Sequence, residues 1–394
     1  MHSHRSWRGY GKKSLRIALI GTGFMGMLHN RAYRFIPHIY PNEVLPSVEI
    51  VADVSDDLAE RAARSWGIPR WTSDWATVLE DDEIDIVDIC TPPDLHVPIG
   101  TAGAAAGKHV YCEKPLGRNS AETTALCDAV TQRGVASFVA FNYRWAPAVQ
   151  YARELIAQGA VGEIWHVHAT YNTGAAADPS SPWRWRYSRE RAGHGALSDL
   201  GSHLFDMVRM LVGEINEITG YTDVVVRERP TERQEAEKDI SMLPVTNDDS
   251  WGALFKLANG GTGIAEGSRV AAGTRVRFTV DVSGSKGALR WNLNRMNELE
   301  VYLPGASPYL DGFTRIQMGP GHPFFSDFLP VGGLGIGFVE LKVLEQRAFL
   351  NAIAGGEVAA PSFEDGLVIA RLLDRVATSG TVRAWQQSTS GPAR

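Results

Sequence analysis

Residues 15–26 read LRIALIGTGFMG, an apolar run closed by glycines at 21, 23 and 26. A short apolar run bounded by a glycine turn reads as a buried strand. The segment from Met27 to Ile36 then has helical character, and Pro37 is expected to stop it. In G-x-G-x-x-G between strand and helix, the first glycine allows the tight turn and the second lets backbone approach a pyrophosphate. The third lets helix and strand pack closely, and the pyrophosphate lies on the amide end of the helix. Glycines also serve plain turns, but here both flanks are correct. Gly21, Gly23 and Gly26, with Phe24 and Met25 between them, are therefore candidate cofactor residues.

The pattern continues outward from this stretch. After the loop PHIYPNEVLP comes a second strand, VEIVAD (48–53). Ser55 can cap the helix DDLAERAARSW, and Gly67 can end it. IDIVDIC (84–90), the helix in DLHVPIGTAGAAAG, then KHVYCE, SAETTALCDAVTQRG and VASFVAFNY keep strand and helix alternating. This predicts an α/β Rossmann domain, a parallel doubly wound sheet, over residues 14–143. Past Trp145 the helix APAVQYARELIAQG leads to EIWHVHATYNTG, a Trp/Arg-rich loop and the helix GALSDLGSHLFDMVRMLVG. From about residue 218 short strands with turn punctuation predict an antiparallel meander, and two helices close the chain. Residues 144–394 thus read as an α+β domain with a large, mostly antiparallel open sheet, in which RERPTERQEAEKD (227–239) is an exposed loop.

Composition narrows the function. The chain has 394 residues, long for a single core, so two domains are expected. Apolar residues at 44% and charged residues at 21% fit a globular protein, and the net charge of −6 without a basic stripe argues against nucleic acid. The three cysteines, Cys90, Cys112 and Cys127, form no C-x-x-C pair, which speaks against a disulfide framework or cysteine-based zinc module. MHSHRSWRGYGKKS lacks the apolar core of a signal peptide, and no apolar run spans a bilayer. A soluble, cytoplasmic protein is expected.

Asp53 ends the second strand, where a carboxylate can accept both ribose hydroxyls of an adenosine and repel a 2′-phosphate. NAD is therefore expected in preference to NADP. TPPDLH (91–96) follows the third strand and faces the cofactor crevice, which makes Thr91, Pro92 and His96 candidates. His166 and His168 share a strand face, but no third ligand has a compatible spacing, and no metal is expected.

GTGFMG, CTPPDLH, YCEKPLG, AFNYRW, WRYSRERAGHGALSDLGSHLFD and PSFEDGLVIARLLD together resemble the Gfo/Idh/MocA family of oxidoreductases, in the levoglucosan- and inositol-dehydrogenase-like branch. They occur in family order over nearly the whole chain. By itself Glu113-Lys114 reads as a surface ion pair; the resemblance implies that Glu113-Lys114-Pro115 places a lysine beside the nicotinamide through a cis Lys–Pro bond. Asp199 and His203 lie four apart in a helical segment and share a face, so the carboxylate can orient the imidazole. Alone they read as a helix ion pair; the resemblance makes them polar partners of a reacting hydroxyl. It also implies that Trp185 and Arg186 reach the cofactor and that Asn142 lies near the nicotinamide ribose. Arg144, Asn172 and His322 join Lys114, Asp199 and His203 as substrate-binding candidates, while Asp206 is assigned to helix packing. Trp183 and Arg184 either line the substrate mouth or stack as a surface cation–π pair.

The resemblance implies an NAD-dependent dehydrogenase oxidising a ring secondary alcohol of a sugar, anhydrosugar, glycoside or cyclitol. Lys114, Asp199 and His203 are the catalytic candidates, and either Lys114 or His203 is the primary base. An NAD-retaining oxidoreductive glycosidase and a redox-silent NAD-binding regulator are the rival readings. A homodimer or homotetramer through the C-terminal sheet is expected.

Overall fold

The computed structural model describes residues 14–232, 241–305, 311–355 and 360–382, so MHSHRSWRGYGKK and residues 233–239 of the charged stretch lie outside the described residues. Six strands open the chain: β1 (Ser14–Ile20), β2 (Leu45–Ala52), β3 (Arg70–Thr72), β4 (Ile86–Ile89), β5 (His109–Cys112) and β6 (Ser137–Val139). They form one sheet in the order β3-β2-β1-β4-β5-β6, all pairs parallel. Every residue of β4 and β5 is buried, as expected of strands covered on both faces. The helices between them are α1 (Phe24–Ile39), α2 (Asp56–Trp66), α3 (Trp75–Leu79), α4 (His96–Ala105) and α5 (Ser120–Arg133). The strand order reverses between β1 and β4, and a crevice outside the carboxyl ends of such strands is where ligands bind.

Local chemistry explains several boundaries. Ser55 accepts a hydrogen bond from Leu58 N, and Gly67 ends α2 with φ 65°. Pro37 does not stop α1, which continues to Ile39; Pro37 sits in the last turn, and Tyr40 N still bonds Ile36 O at 2.8 Å. β2 starts at Leu45, ahead of the expected Val48, with a register shift at Ile17/Ala18 separating its early rungs from the rest.

The second half contains β7 (Ile164–Asn172), β8 (Ile215–Asp223), a short hairpin of β9 (Glu228–Pro230) and β10 (Met242–Pro244), then β11 (Ser250–Leu257) and β12 (Thr262–Ser268). β13 (Arg277–Gly284), β14 (Ala288–Asn292), β15 (Glu298–Tyr302) and β16 (Thr314–Gln317) follow. Eight of these form a sheet in the order β16-β15-β14-β13-β7-β12-β11-β8, antiparallel except where β7 lies beside β12. Its helices are α6 (Pro147–Ala157), α7 (Arg189–Ala192), α8 (Ser202–Val212), α9 (Phe325–Phe328), α10 (Phe338–Gly355) and α11 (Phe363–Val382). Alternation along the strands sends Trp251, Phe255, Phe278 and Trp291 into the core, where Phe205 of α8 packs at a tilt against Trp251. The opposite face carries Leu254, Ile264 and His168 on one rung.

Two findings depart from the expected layout. Arg229, read as part of an exposed loop, is fully buried over the Tyr187 ring and donates to Asp178 O at 2.7 Å; β9 draws it inward by pairing with β10. Helix α10, late in the chain, packs Val343, Phe349 and Leu350 onto Ile17, Tyr33, Tyr111 and Phe138 of the first sheet and α1. Among the described residues no helix is long and apolar enough to cross a membrane.

Candidate active site

The glycine loop is built as its spacing requires. Gly21 has φ 103°, and a Cβ on Gly26 would stand 2.0 Å from Gly21 O. At Gly23 a Cβ would meet nothing within 4 Å, so this glycine faces open space at the amino end of α1. Phe24 is 68% exposed in the same first turn, with Met25 half-buried beside it. Asp53 closes the loop from β2: its Oδ2 accepts from Thr22 N at 2.7 Å and Thr22 Oγ1 at 2.5 Å, its Oδ1 from Val54 N at 2.7 Å.

Beyond β4, the Thr91 hydroxyl is buried without a hydrogen-bond partner, and Pro92 leads into the turn before α4. His96 departs from its expected role. Its ring is buried, with Nδ1 2.7 Å from Pro115 O and Nε2 2.8 Å from Thr91 O, so it fastens the turn after β5 to the loop after β4. Burial lowers its pKa, and a neutral ring donates to one of these carbonyls at a time.

The Lys114–Pro115 bond is cis. Lys114 Nζ donates to Asp199 O at 2.9 Å and to Asp199 Oδ1 at 2.7 Å, and its side chain is 13% exposed. Glu113, expected beside the cofactor or paired with Lys114, points the other way into the core. Its Oε1 meets Lys342 Nζ at 2.8 Å and His29 Nε2 at 3.0 Å, while Oε2 accepts from Lys114 N at 3.1 Å. Both residues lie just past β5, which ends at Cys112, and the chain bends at Lys114.

Asp199 also differs from expectation. Its segment is not a continuous α-helix: a π-helical turn, Leu197–Gly201, precedes α8. The carboxylate goes to Lys114. Desolvation opposes its charge, but Lys114 and then Arg186 outweigh this and pull its pKa down to about 2. His203 is buried against the rings of Tyr143 (4.8 Å) and Phe141 (5.8 Å), with Nδ1 buried and unpartnered. Burial first, then Lys114, depress its pKa well below the usual range and keep it neutral.

The remaining candidates separate. The Asn142 amide nitrogen is buried without a partner. Arg186 stacks on Trp185 at 4.2 Å and lies close enough to Asp199 to lower its pKa. Trp183 is pinned by its indole N–H to Pro244 O at 3.0 Å. Arg144, read as a substrate residue, is committed to the buried carboxylate of Asp206, which is thus an ion-pair partner and not merely packing. Asn172 ends β7, half-buried. The His322 Nδ1 accepts from Gly319 N at 3.0 Å, and its ring packs on Tyr151, which commits that nitrogen to its own loop. His166 and His168 lie on the exposed face of β7.

Sequence reading missed the partners of Glu113, His29 and Lys342, and the carboxyl groups of Asp88 and Glu345 that pair with these two in turn. One signal was available. In FVELKVLEQRAF (338–349) Lys342 and Glu345 occupy the stripe that otherwise carries Phe338, Leu341 and Phe349.

A protein-family model described as "Oxidoreductase family, NAD-binding Rossmann fold" matches residues 15–141, and one described as "GFO/IDH/MocA C-terminal domain" matches residues 149–290. The chain is 38% identical over 381 residues to levoglucosan dehydrogenase of Pseudarthrobacter phenanthrenivorans, covering 95% of this chain and 98% of the relative. It is 29% identical to inositol 2-dehydrogenase of Rhizobium meliloti, covering 93% and 97%. A solved structure of levoglucosan dehydrogenase in complex with NADH and levoglucosan superposes with a TM-score of 0.90 at 38% identity, covering 95% of this chain and 99% of the other.

Proposed function

Because this chain belongs to the Gfo/Idh/MocA family of oxidoreductases, we propose that it is an NAD-dependent dehydrogenase. It oxidises a ring secondary alcohol of a sugar, anhydrosugar, glycoside or cyclitol to the ketone. The observation that carries this reading is the Lys114–Asp199 pair beside a buried neutral His203, next to the carboxyl ends of β4 and β5. The relatives support it: one is a levoglucosan dehydrogenase and another an inositol dehydrogenase. Both keep this catalyst class among cyclic polyols.

The chain's own groups suit the cofactor. Gly23 leaves the amino end of α1 open to a pyrophosphate, and the orphaned Asn142 amide and Thr91 hydroxyl are buried donors awaiting acceptors. Asp53, a carboxylate at the end of β2, favours ribose hydroxyls over a 2′-phosphate, which supports NAD over NADP. Bound there, NAD supplies the hydride acceptor. Lys114 uses two N–H groups on Asp199 and keeps a third for the substrate oxygen, whose charge it stabilises as the proton leaves. Neutral His203 accepts that proton, and Asp199 lies close enough to favour the resulting cation.

The assembly we propose is a homo-oligomer through the open face of the eight-stranded sheet, where Leu254 (57% exposed) and Ile264 (42%) sit opposite each other. The test of function is NADH production from NAD with levoglucosan, myo-inositol, scyllo-inositol and simple pyranosides. Steady NADH formation from at least one supports the reading. Turnover of glycosides without net NADH would favour the glycosidase, and NAD binding with no turnover would favour the regulator.

A further inference from the structure

Lys342 of α10 is wholly buried, yet it is an ammonium set between the carboxyl groups of Glu113, just past β5, and Glu345 of its own helix. Its Nζ lies 2.8 Å from Glu113 Oε1 and 3.0 Å from Glu345 Oε2, the latter a close approach not aligned as a hydrogen bond. The same Glu113 oxygen faces His29 Nε2 of α1 at 3.0 Å, and His29 Nδ1 faces Asp88 Oδ2 of β4 at 2.9 Å. Both cations therefore converge on one oxygen of Glu113. The other oxygen is left for a single donor, the backbone N–H of Lys114 at 3.1 Å.

That division of labour has a mechanical consequence. A carboxylate pinned at Oε1 by two charged donors cannot rotate without leaving one of them unpaired in the core, where unpaired charge is costly. Its Oε2 is thereby fixed as an anchor for the amide of the residue whose side chain leaves for Asp199. We propose that Lys342 is a positioning residue for the reaction, holding Glu113 so that the Lys114 backbone, and with it the direction of the Lys114 side chain, is set. This inference rests on the assignment of Lys114 to the chemistry.

The electrostatics agree with the geometry. Burial opposes the charge on Glu113, but Lys342, followed by His29, holds its carboxyl well below the usual range. Burial raises the pKa of Glu345 above the usual carboxylate value, and Lys342 works against that rise. Lys342 keeps its proton because Glu113 and Glu345 outweigh the burial that opposes it. The position of Lys342 is not explained by filling space, since leucine or methionine would do that without a buried charge to pair with Glu113 and Glu345.

The experiment uses Lys342→Met, Glu113→Gln, the double variant and Lys114→Ala as the reference. Turnover is measured on whichever cyclic polyol the unmodified enzyme oxidises fastest, alongside the KM for NAD, NADH binding by fluorescence and melting temperature. Lys342→Met should lower kcat by roughly 10²-fold, as a displaced catalytic group does, with NAD binding largely preserved. Glu113→Gln should fall in the same class, because its amide cannot accept from both His29 and the Lys114 N–H. The double variant should be no worse than either single one, since the residues act as one unit. If Lys342→Met does not fold, the double variant, which removes both buried charges, is compared with Glu113→Gln. Equal turnover supports the proposal and a further multiplicative loss overturns it. Full turnover in folded Lys342→Met, with Lys114→Ala inactive, overturns the positioning role alone. Full turnover in Lys114→Ala overturns the underlying assignment of the lysine.

Discussion

Lys114 and Asp199, 85 residues apart, meet twice: Nζ donates to the main-chain oxygen of Asp199 at 2.9 Å and to its carboxylate at 2.7 Å. Two bonds to one residue fix the direction of the ammonium as well as its charge.

Lys114→Ala should therefore lower turnover by about 10²–10⁴-fold, the range for positioned acid–base groups, with cofactor affinity changed far less. Asp199→Asn keeps the main-chain acceptor and weakens the charge pair, so its loss should be smaller than that of Lys114→Ala. In a Lys114→Ala background Asp199→Asn should cost little more, whereas His203→Ala should be severe in either background. Stopped-flow and steady-state turnover of these five variants check this. An Asp199→Asn effect undiminished without Lys114 would mean that the carboxylate serves His203, as its spacing in the sequence implied.

Cofactor choice follows from Asp53. Its carboxylate closes the glycine loop through Thr22, and on the proposed reading a carboxylate at the end of β2 takes ribose hydroxyls and repels a 2′-phosphate, so NAD should be used in preference to NADP. Asp53→Ser removes the repulsion and the bond to Thr22 N together. The gap should narrow, mainly through a higher KM for NAD. Kinetics with both cofactors decide it, and equal use by the unmodified protein sinks the assignment.

The parts of this site that were legible are those encoded by neighbours in sequence. G-T-G-F-M-G carries its own strand and helix, Ser55 and Gly67 cap α2 by local bonds, and Glu-Lys-Pro announces a turn. What was hidden depends on distant partners. Nothing near Glu113 says that its carboxylate belongs to Lys342, 229 residues away, and nothing near Arg144 says that Asp206 will take its guanidinium. The four-residue spacing of Asp199 and His203 announced neither the π-helical turn that carries Asp199 nor the bond from Lys114 to its carboxylate. β7 was equally opaque, since its partners β12 and β13 follow only after β8 and the β9–β10 hairpin.

His29 gives the fold a dependence on alkaline pH. Its ring is wholly buried; burial opposes protonation, but Asp88 and then its hydrogen bonds to Asp88 and Glu113 outweigh this and Lys342, and the pKa rises from 6.5 to about 9. A raised folded-state pKa stabilises fully below the unfolded value of 6.5, and that stabilisation is lost as pH rises through about 9. The shift corresponds to roughly 3 kcal/mol, at about 1.4 kcal/mol per unit. The other buried groups do not mask it. Cys90 and Tyr33, which face the same cluster, are pushed up by burial and stay neutral across the window. His96, His109 and His203 have lowered values and, being neutral above the ordinary histidine range, affect stability only on the acid side. Melting temperature or urea midpoint should therefore decline from near neutrality to about pH 9 in the unmodified protein. His29→Asn should be less stable at neutral pH, yet markedly flatter over the same window, because only the buried thiols, neutral when folded and ionising when unfolded, then add a decline close to pH 9. Parallel slopes in the two proteins would show that His29 is not the group being titrated.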